Sequence, residues 1–277
     1  VLLEKGGLYV NRLFKRLPGA ILILFSLVMM SACSTAPQVK QTAELAGVPG
    51  EAAETTGAES VYGWWDIHFK IYWSGADTTH EENGSGGNSD NTDDPPAWYM
   101  GPLLADRIMA PVIKQEGQNI FLWRFHRRAV SDEAGHQFSF IFYSTPEVAE
   151  RVEAAVKANP LVDQLIEAGL LSEVGYPDVS VIDQPRVSDT SDQHWPDEIK
   201  STWPVFIMGA SEMWLKMTED LADADPEAGE QMSVAEMSKL YQRVEEQLDT
   251  IWREDSRHAY FHHLNALFGY KRSLVGF

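Results

Sequence analysis

Three side chains late in the chain have the spacing of metal ligands. Glu254, His258 and His262 recur at every fourth residue, with His263 adjoining. That spacing puts them on one face of a helix, and imidazole with carboxylate is a zinc-binding set. A fourth ligand would have to come from His263 or from a carboxylate on another helix. The zincin pattern His-Glu-x-x-His would also supply a general base. Here Ala259, Tyr260 and Phe261 stand between the two histidines, so that base is missing. The favoured alternative is a helix end whose histidines cap carbonyls or pack among Trp252, Tyr260 and Phe268. No cofactor is therefore expected, with zinc as the alternative.

A second constellation lies on predicted strands. In Trp65-Asp66-Ile67-His68-Phe69-Lys70-Ile71-Tyr72-Trp73 the odd positions are apolar and the even ones mostly polar, the period of a half-buried strand. Two more strands are predicted over Asn119–Ala129 and Gln137–Ser144, with Gly135 suited to the turn between them. Phe121, Trp123 and Phe125 share one face, as do Phe138, Phe140 and Phe142, and such aromatic stripes pair across strands to build a core. The other face then gathers His68, Lys70, Arg124, His126, Ser139 and Tyr143. We take His68, Lys70, Arg124, His126 and Tyr143 as a candidate ligand face. Leu122, Ile141 and Tyr72 share it, so something is expected to pack on part of it.

Other chemistries find little support. Gly209-Ala-Ser211 lacks the second glycine of a nucleophile elbow and falls inside a predicted helix. Asp90, Asp93 and Asp94 do not have EF-hand spacing. The glycines at Gly84–Gly87 precede no apolar helix that could cradle phosphate. Nine tryptophans could line a cleft, but core and lid positions are their commoner use.

The elements that must position these groups read in order. A helix over Leu103–Ala110 is ended by Pro111. Thr145 caps a helix with Pro146 at its first position and Val148, Val152 and Val156 on its buried face. A short helix, Pro160–Ala168, ends at Gly169, and a last strand falls within Leu170–Ile182. Strand, helix, strand, strand, helix, strand is the arrangement of ferredoxin-like domains, so the expected fold is α+β with a βαββαβ core. Beyond it, Pro196–Ala222 carries Ile199, Trp203, Ile207, Ala210, Trp214, Met217 and Leu221 at helical spacing, with Pro204 kinking the helix or shifting its start. Ser233-Val-Ala-Glu236 is a capping box opening a helix to about Trp252, with Met237, Leu240, Val244, Leu248 and Ile251 on one face. A final helix spans Ser256–Phe268. The C-terminal helices are expected to form a layer over the open sheet face, or else a small helical domain.

The beginning of the chain carries an address. Lys5, Arg12, Lys15 and Arg16 precede an apolar run, Ala20 to Met30, followed by Ser31, Ala32 and the only cysteine, Cys33. A positive head, a short apolar core and small residues before a cut site make a secretory signal. Met30-Ser31-Ala32-Cys33 resembles the lipobox of bacterial lipoproteins, although Leu is commoner than Met at its first place. The resemblance implies lipidation of Cys33, with palmitate among the acyl chains, and a membrane anchor; it implies no activity. Ser34, by the same resemblance, points to the outer membrane, facing the periplasm. The chain opens on Val1 with no Met before Met29, so translation is expected to start at a non-ATG codon or upstream.

Residues 1–32 thus read as signal peptide and 33–60 as a flexible tether. Residues 61–184 read as the α+β domain, with an acidic, disordered insert at 74–96, and 195–277 as the helical region. A formal net charge of −19 argues against nucleic acid or anionic lipid as a general partner. With its single cysteine committed to lipid, the mature chain has no disulfide and no thiol nucleophile. The expectation is a membrane-anchored, non-enzymatic binding or assembly protein of the cell envelope with a protein partner there. A hydrolase or metalloenzyme using the histidine-rich helix and a purely structural lipoprotein are the alternatives.

Overall fold

A computed structural model of the chain describes residues 61–72, 96–128, 135–229 and 231–271. The lipobox segment, the tether and the acidic insert up to Pro95 lie outside the described residues. The fold mixes helices with one antiparallel sheet. Its strands are β1 (Gly63–Ile71), β2 (Leu122–Arg128), β3 (Gln137–Ser144) and β4 (Leu171–Gly175), in the order β2-β3-β1-β4. The β1–β4 register shifts between Lys70 and Ile71.

Period-two alternation decides which face is buried. Trp65, Ile67, Phe69 and Ile71 of β1 are buried, together with Trp123 and Phe125 of β2 and Phe138, Phe140 and Phe142 of β3. Register aligns these stripes: Phe140 stands opposite Ile67 on one side and Phe125 on the other. The rings meet closely, Phe140 on Phe142 at 5.0 Å and Phe125 on Phe138 at 5.2 Å. Phe121 leaves the predicted stripe. It precedes β2, where alternation no longer applies, and is 43% exposed with its ring 6.3 Å from that of Tyr143.

Helices cover the aromatic face. α1 (Met100–Leu104) runs through a π-helical turn, Ala105–Met109, into α2 (Ala110–Glu116). The stop predicted at Pro111 does not occur. The Ala110 amide donates to the Ala105 carbonyl, five residues back, and this wide turn lets the helical path continue into a residue with no N–H. α3 (Pro146–Lys157) starts after Thr145 as predicted, yet the Thr145 hydroxyl caps no helix amide. α4 (Pro160–Glu167) is capped by Asn159, whose Oδ1 accepts from the Leu161 amide at 3.0 Å.

α5 (Asp197–Ala224) buries a line that adjoins the predicted stripe, of which Trp214, Met217 and Leu221 rest against the core. Its most buried line is Pro204, Ser211, Leu215, Thr218 and Ala222, while the large residues of the predicted stripe flank that line and Ile199 is 46% exposed. The reason is proximity to β2. The outward amide of Phe125 donates to Ser211 Oγ at 3.1 Å, and that hydroxyl donates to the Ile207 carbonyl at 2.8 Å. Small and hydroxylated residues allow this approach where a large apolar side chain would hold the helix away. α5 therefore straddles the edge of the sheet. Trp203 lies against Arg124 and Met208 against Trp64, Leu122 and Tyr143 on the polar face; Trp214 meets Phe125, and Leu215 and Ala222 join the main core on the other.

α6 (Val234–Glu254) opens with the predicted capping box: Ser233 Oγ accepts from the Glu236 amide and the Ser233 amide donates to Glu236 Oε2 at 2.8 Å. Met237, Leu240, Tyr241, Val244 and Leu248 join the same core. The C-terminal helices therefore do not roof the open sheet face; only the start of α5 reaches it. Ser211→Ala should cost about 1–3 kcal/mol, because the Phe125 amide loses its partner in a buried place. Phe140→Ala should cost about 3–5 kcal/mol. Urea unfolding reads both, and a Ser211→Ala cost near zero would show that water replaces the hydroxyl.

Candidate functional site

The polar side of the sheet is ordered into cross-strand rows by the registers already given. Leu122, Tyr143 and Trp64 form one row, Arg124, Ile141 and Asp66 the next, and His126, Ser139, His68 and Gly175 the third. Arg128, Gln137, Lys70 and Glu173 form the fourth. The first row is closed. Trp64 Nε1 donates to the Arg186 carbonyl at 3.0 Å and the Tyr143 hydroxyl to the Pro185 carbonyl at 2.6 Å. The strap of residues 184–187 thereby seals this apolar end, and Tyr143, proposed from sequence as a ligand group, is buried under it. Burial also pushes its phenol up, helped by the charge of Asp189.

The other three rows are half-open and basic. Four of the five residues singled out from the sequence, His68, Lys70, Arg124 and His126, lie there together, each half-buried. Two further groups belong with them, Asp66 and Arg128. Period two would have found both, since Asp66 stands two residues before His68 and Arg128 two after His126. Arg124 Cζ sits 4.7 Å from the ring centre of Trp203, a cation–π contact from the start of α5. Lys70 is paired with Glu173 at 2.7 Å. His68 lies against β4: a Cβ on Gly175 would fall 2.1 Å from its ring, so a side chain there would require the imidazole to move.

Asp66 is the acid amid these bases. Its Oδ2 lies 3.6 Å from His68 Nδ1, while Oδ1 is sealed from solvent without a hydrogen-bond partner. Burial raises its carboxyl above the ordinary range, and His68, Ser139, Arg128 and Arg124 pull it down without cancelling that effect. Burial likewise lowers the Arg124 guanidinium, which Asp66 partly restores; guanidinium remains charged in proteins regardless. The result is a half-buried platform of guanidinium, imidazole and hydroxyl groups with one carboxylate beneath. It is suited to holding anionic oxygens. The Ser139 hydroxyl accepts from Gln137 Nε2 at 2.9 Å and lies beside the Asp66 carboxyl, while Ser211 is committed to the sheet edge.

The histidine-rich segment takes a different form from the single helix predicted. α6 ends at Glu254, and the chain rewinds into a π-helical turn, Arg257–His262, followed by α7 (His263–Leu267). His258 and His262 stack at 5.3 Å with ring planes 8° apart, and His263 stands edge-on to both. Parallel rings keep their in-plane lone pairs from converging on one point. Among the described residues no group of three His, Cys, Asp or Glu side chains could hold a metal ion.

A groove of about 1100 Å³ lies elsewhere, lined by Asp106, Arg107, Trp123, Glu212, Lys216 and Glu219 among others. At its end Arg107 Nε donates to the Tyr241 hydroxyl at 2.7 Å, and that hydroxyl donates to Asp106. Burial, then the Asp106 charge, pushes the Tyr241 phenol up, so it stays protonated and tethers α6 to the π-turn. No family model, no curated protein and no solved structure matches this chain.

Two outcomes are expected. A carboxyl raised by folding is bound more tightly by protons in the native state, so its contribution to stability falls as pH rises from the unfolded value through the raised one. Asp66→Asn should therefore raise the Tm at neutral pH, with the gain vanishing in acid; a loss at neutral pH would mean that the arginines outweigh burial. Purified protein should also hold well under one zinc per chain, with a Tm unmoved by chelator, as metal analysis and paired melts would read.

Proposed function

We propose that this chain is a lipid-tethered, non-enzymatic binding protein of the bacterial cell envelope. Its ligand is an envelope partner that presents anionic groups to the polar sheet face. The observation that carries this reading is the gathering of His68, Lys70, Arg124, His126 and Arg128 on one sheet face of a chain with net charge −19. Like charges so placed raise the local potential and favour an acidic counterpart. The tether rests on the lipobox-like Met30-Ser31-Ala32-Cys33, and the outer membrane on Ser34.

We also read the core as ferredoxin-like. Strand order β2-β3-β1-β4, with helices between β1 and β2 and between β3 and β4, supports that label.

Two measurements test this reading. Fatty-acid label should enter the wild-type chain and be absent from Cys33→Ser; equal labelling removes the anchor. Cross-linking in intact cells should give a specific adduct with wild type that Arg124→Glu loses while the protein remains folded by circular dichroism. An adduct indifferent to that reversal of charge would move the binding site off this face.

A further inference from the structure

From Ser256 onward the sequence contains no Asp or Glu, although 41 acids occur in the chain as a whole. The same stretch carries Arg257, Lys271 and three histidines among Tyr260, Phe261, Leu264, Leu267, Phe268 and Tyr270. Apolar side chains here face outward: Trp252 is 53% exposed, Phe261 51%, Leu267 81% and Phe268 67%. Phe261, Leu264 and Phe268 follow helical spacing along one stripe, and Trp252 extends it, its ring 5.4 Å from Phe261. Tyr260 lies between this stripe and the body, its ring stacked 6.5 Å from that of Trp252. Its hydroxyl donates to Met217 Sδ of α5 at 3.3 Å, which holds the helix on the body with its apolar stripe turned out.

An exposed, contiguous apolar patch of this kind marks an interaction surface. From Arg257 on, aromatic and leucine side chains stand beside cations without a carboxylate, while Glu254 and Asp255 lie between this stretch and Trp252; that local composition, set in an acidic chain, is the one found in helices that lie in a membrane interface. Trp and Tyr favour the headgroup level. Among the described residues no helix is long and apolar enough to cross a membrane, which fits a helix lying on the surface. We infer that the helical segment Arg257–Leu267, with Trp252 and Phe268, docks on an anionic lipid surface, the apolar stripe entering the interface and Arg257 and Lys271 meeting headgroup phosphates. This rests on the envelope reading only for why a bilayer is at hand.

The test is a dye at one position. In Cys33→Ser protein lacking the leader residues 1–32, Leu267→Cys provides the only thiol for an environment-sensitive fluorophore. A second protein, labelled through Glu150→Cys on α3, serves as control. On vesicles of phosphatidylglycerol and phosphatidylethanolamine the dye at 267 should shift to the blue and brighten, and the dye at 150 should not. The shift should be lost on pure phosphatidylcholine and reduced by Arg257→Glu with Lys271→Glu. No shift on any vesicle, equal shifts on both lipid compositions, or a shift that grows with protein concentration without lipid would each overturn the proposal; the last would assign the patch to a second copy of the chain. Because the thiol background is Cys33→Ser, failure of acylation at Cys33 in the wild type would sink the anchor and leave this result standing.

Discussion

An edge strand must have its outward amides satisfied or hidden, and at Phe125 β2 meets that demand through one serine on a long helix. The Phe125–Ser211 bond fixes how closely α5 approaches the sheet. Leu215, Thr218 and Ala222 follow Ser211 along the contact line. With the helix held at the edge, its two halves reach opposite faces. Trp203 is delivered to Arg124 and Trp214 to Phe125. The polar face is left open as a direct consequence, since the helix that might have covered it stands at the rim.

Arginine is used in two ways on the same strand. Arg127, on the aromatic side, is enclosed between Trp98 and Trp214 and paired with Glu245 of α6 at 2.8 Å. Each of its contacts is internal, so it works as a rivet between the sheet and the C-terminal helices. Arg124, three residues earlier on the polar side, has one aromatic neighbour and an incompletely compensated carboxylate across the sheet at Asp66. A charge kept half-buried beside an acid whose ionisation is disfavoured does not add to stability. Its placement makes sense if something anionic completes the set.

The sheet was legible because it follows a strict local rule. Alternation in β1 to β3 placed Trp65, Ile67, Phe140 and Phe142 inside and His68, Arg124 and His126 outside, and Gly135, at φ 72°, sits in the turn as read. The capping box at Ser233 was legible for the same reason, whereas the hydroxyl cap read at Thr145 is not made. What failed depended on the third dimension. The buried line of α5 includes Ser211, Thr218 and Ala222 beside Leu215, and hydrophobic periodicity does not mark the first three. Pro111 reads as a stop unless one knows that a π-turn precedes it. Glu254 and His258 have helical spacing in sequence, but the helix ends between them. Tyr143 belonged to the right face and the wrong half of it, because the strap at 184–187 is distant in sequence and unpatterned.

The two margins of the sheet have a further consequence for how this protein can be recognised. One margin, β2, is occupied by α5; the other, β4, is five residues long and out of register with its neighbour after Lys70. Neither offers the long run of bare amides and carbonyls onto which a foreign strand could zip. Fibril growth from this sheet and capture of a partner by strand donation are disfavoured together. Whatever this protein meets must be read by its side chains.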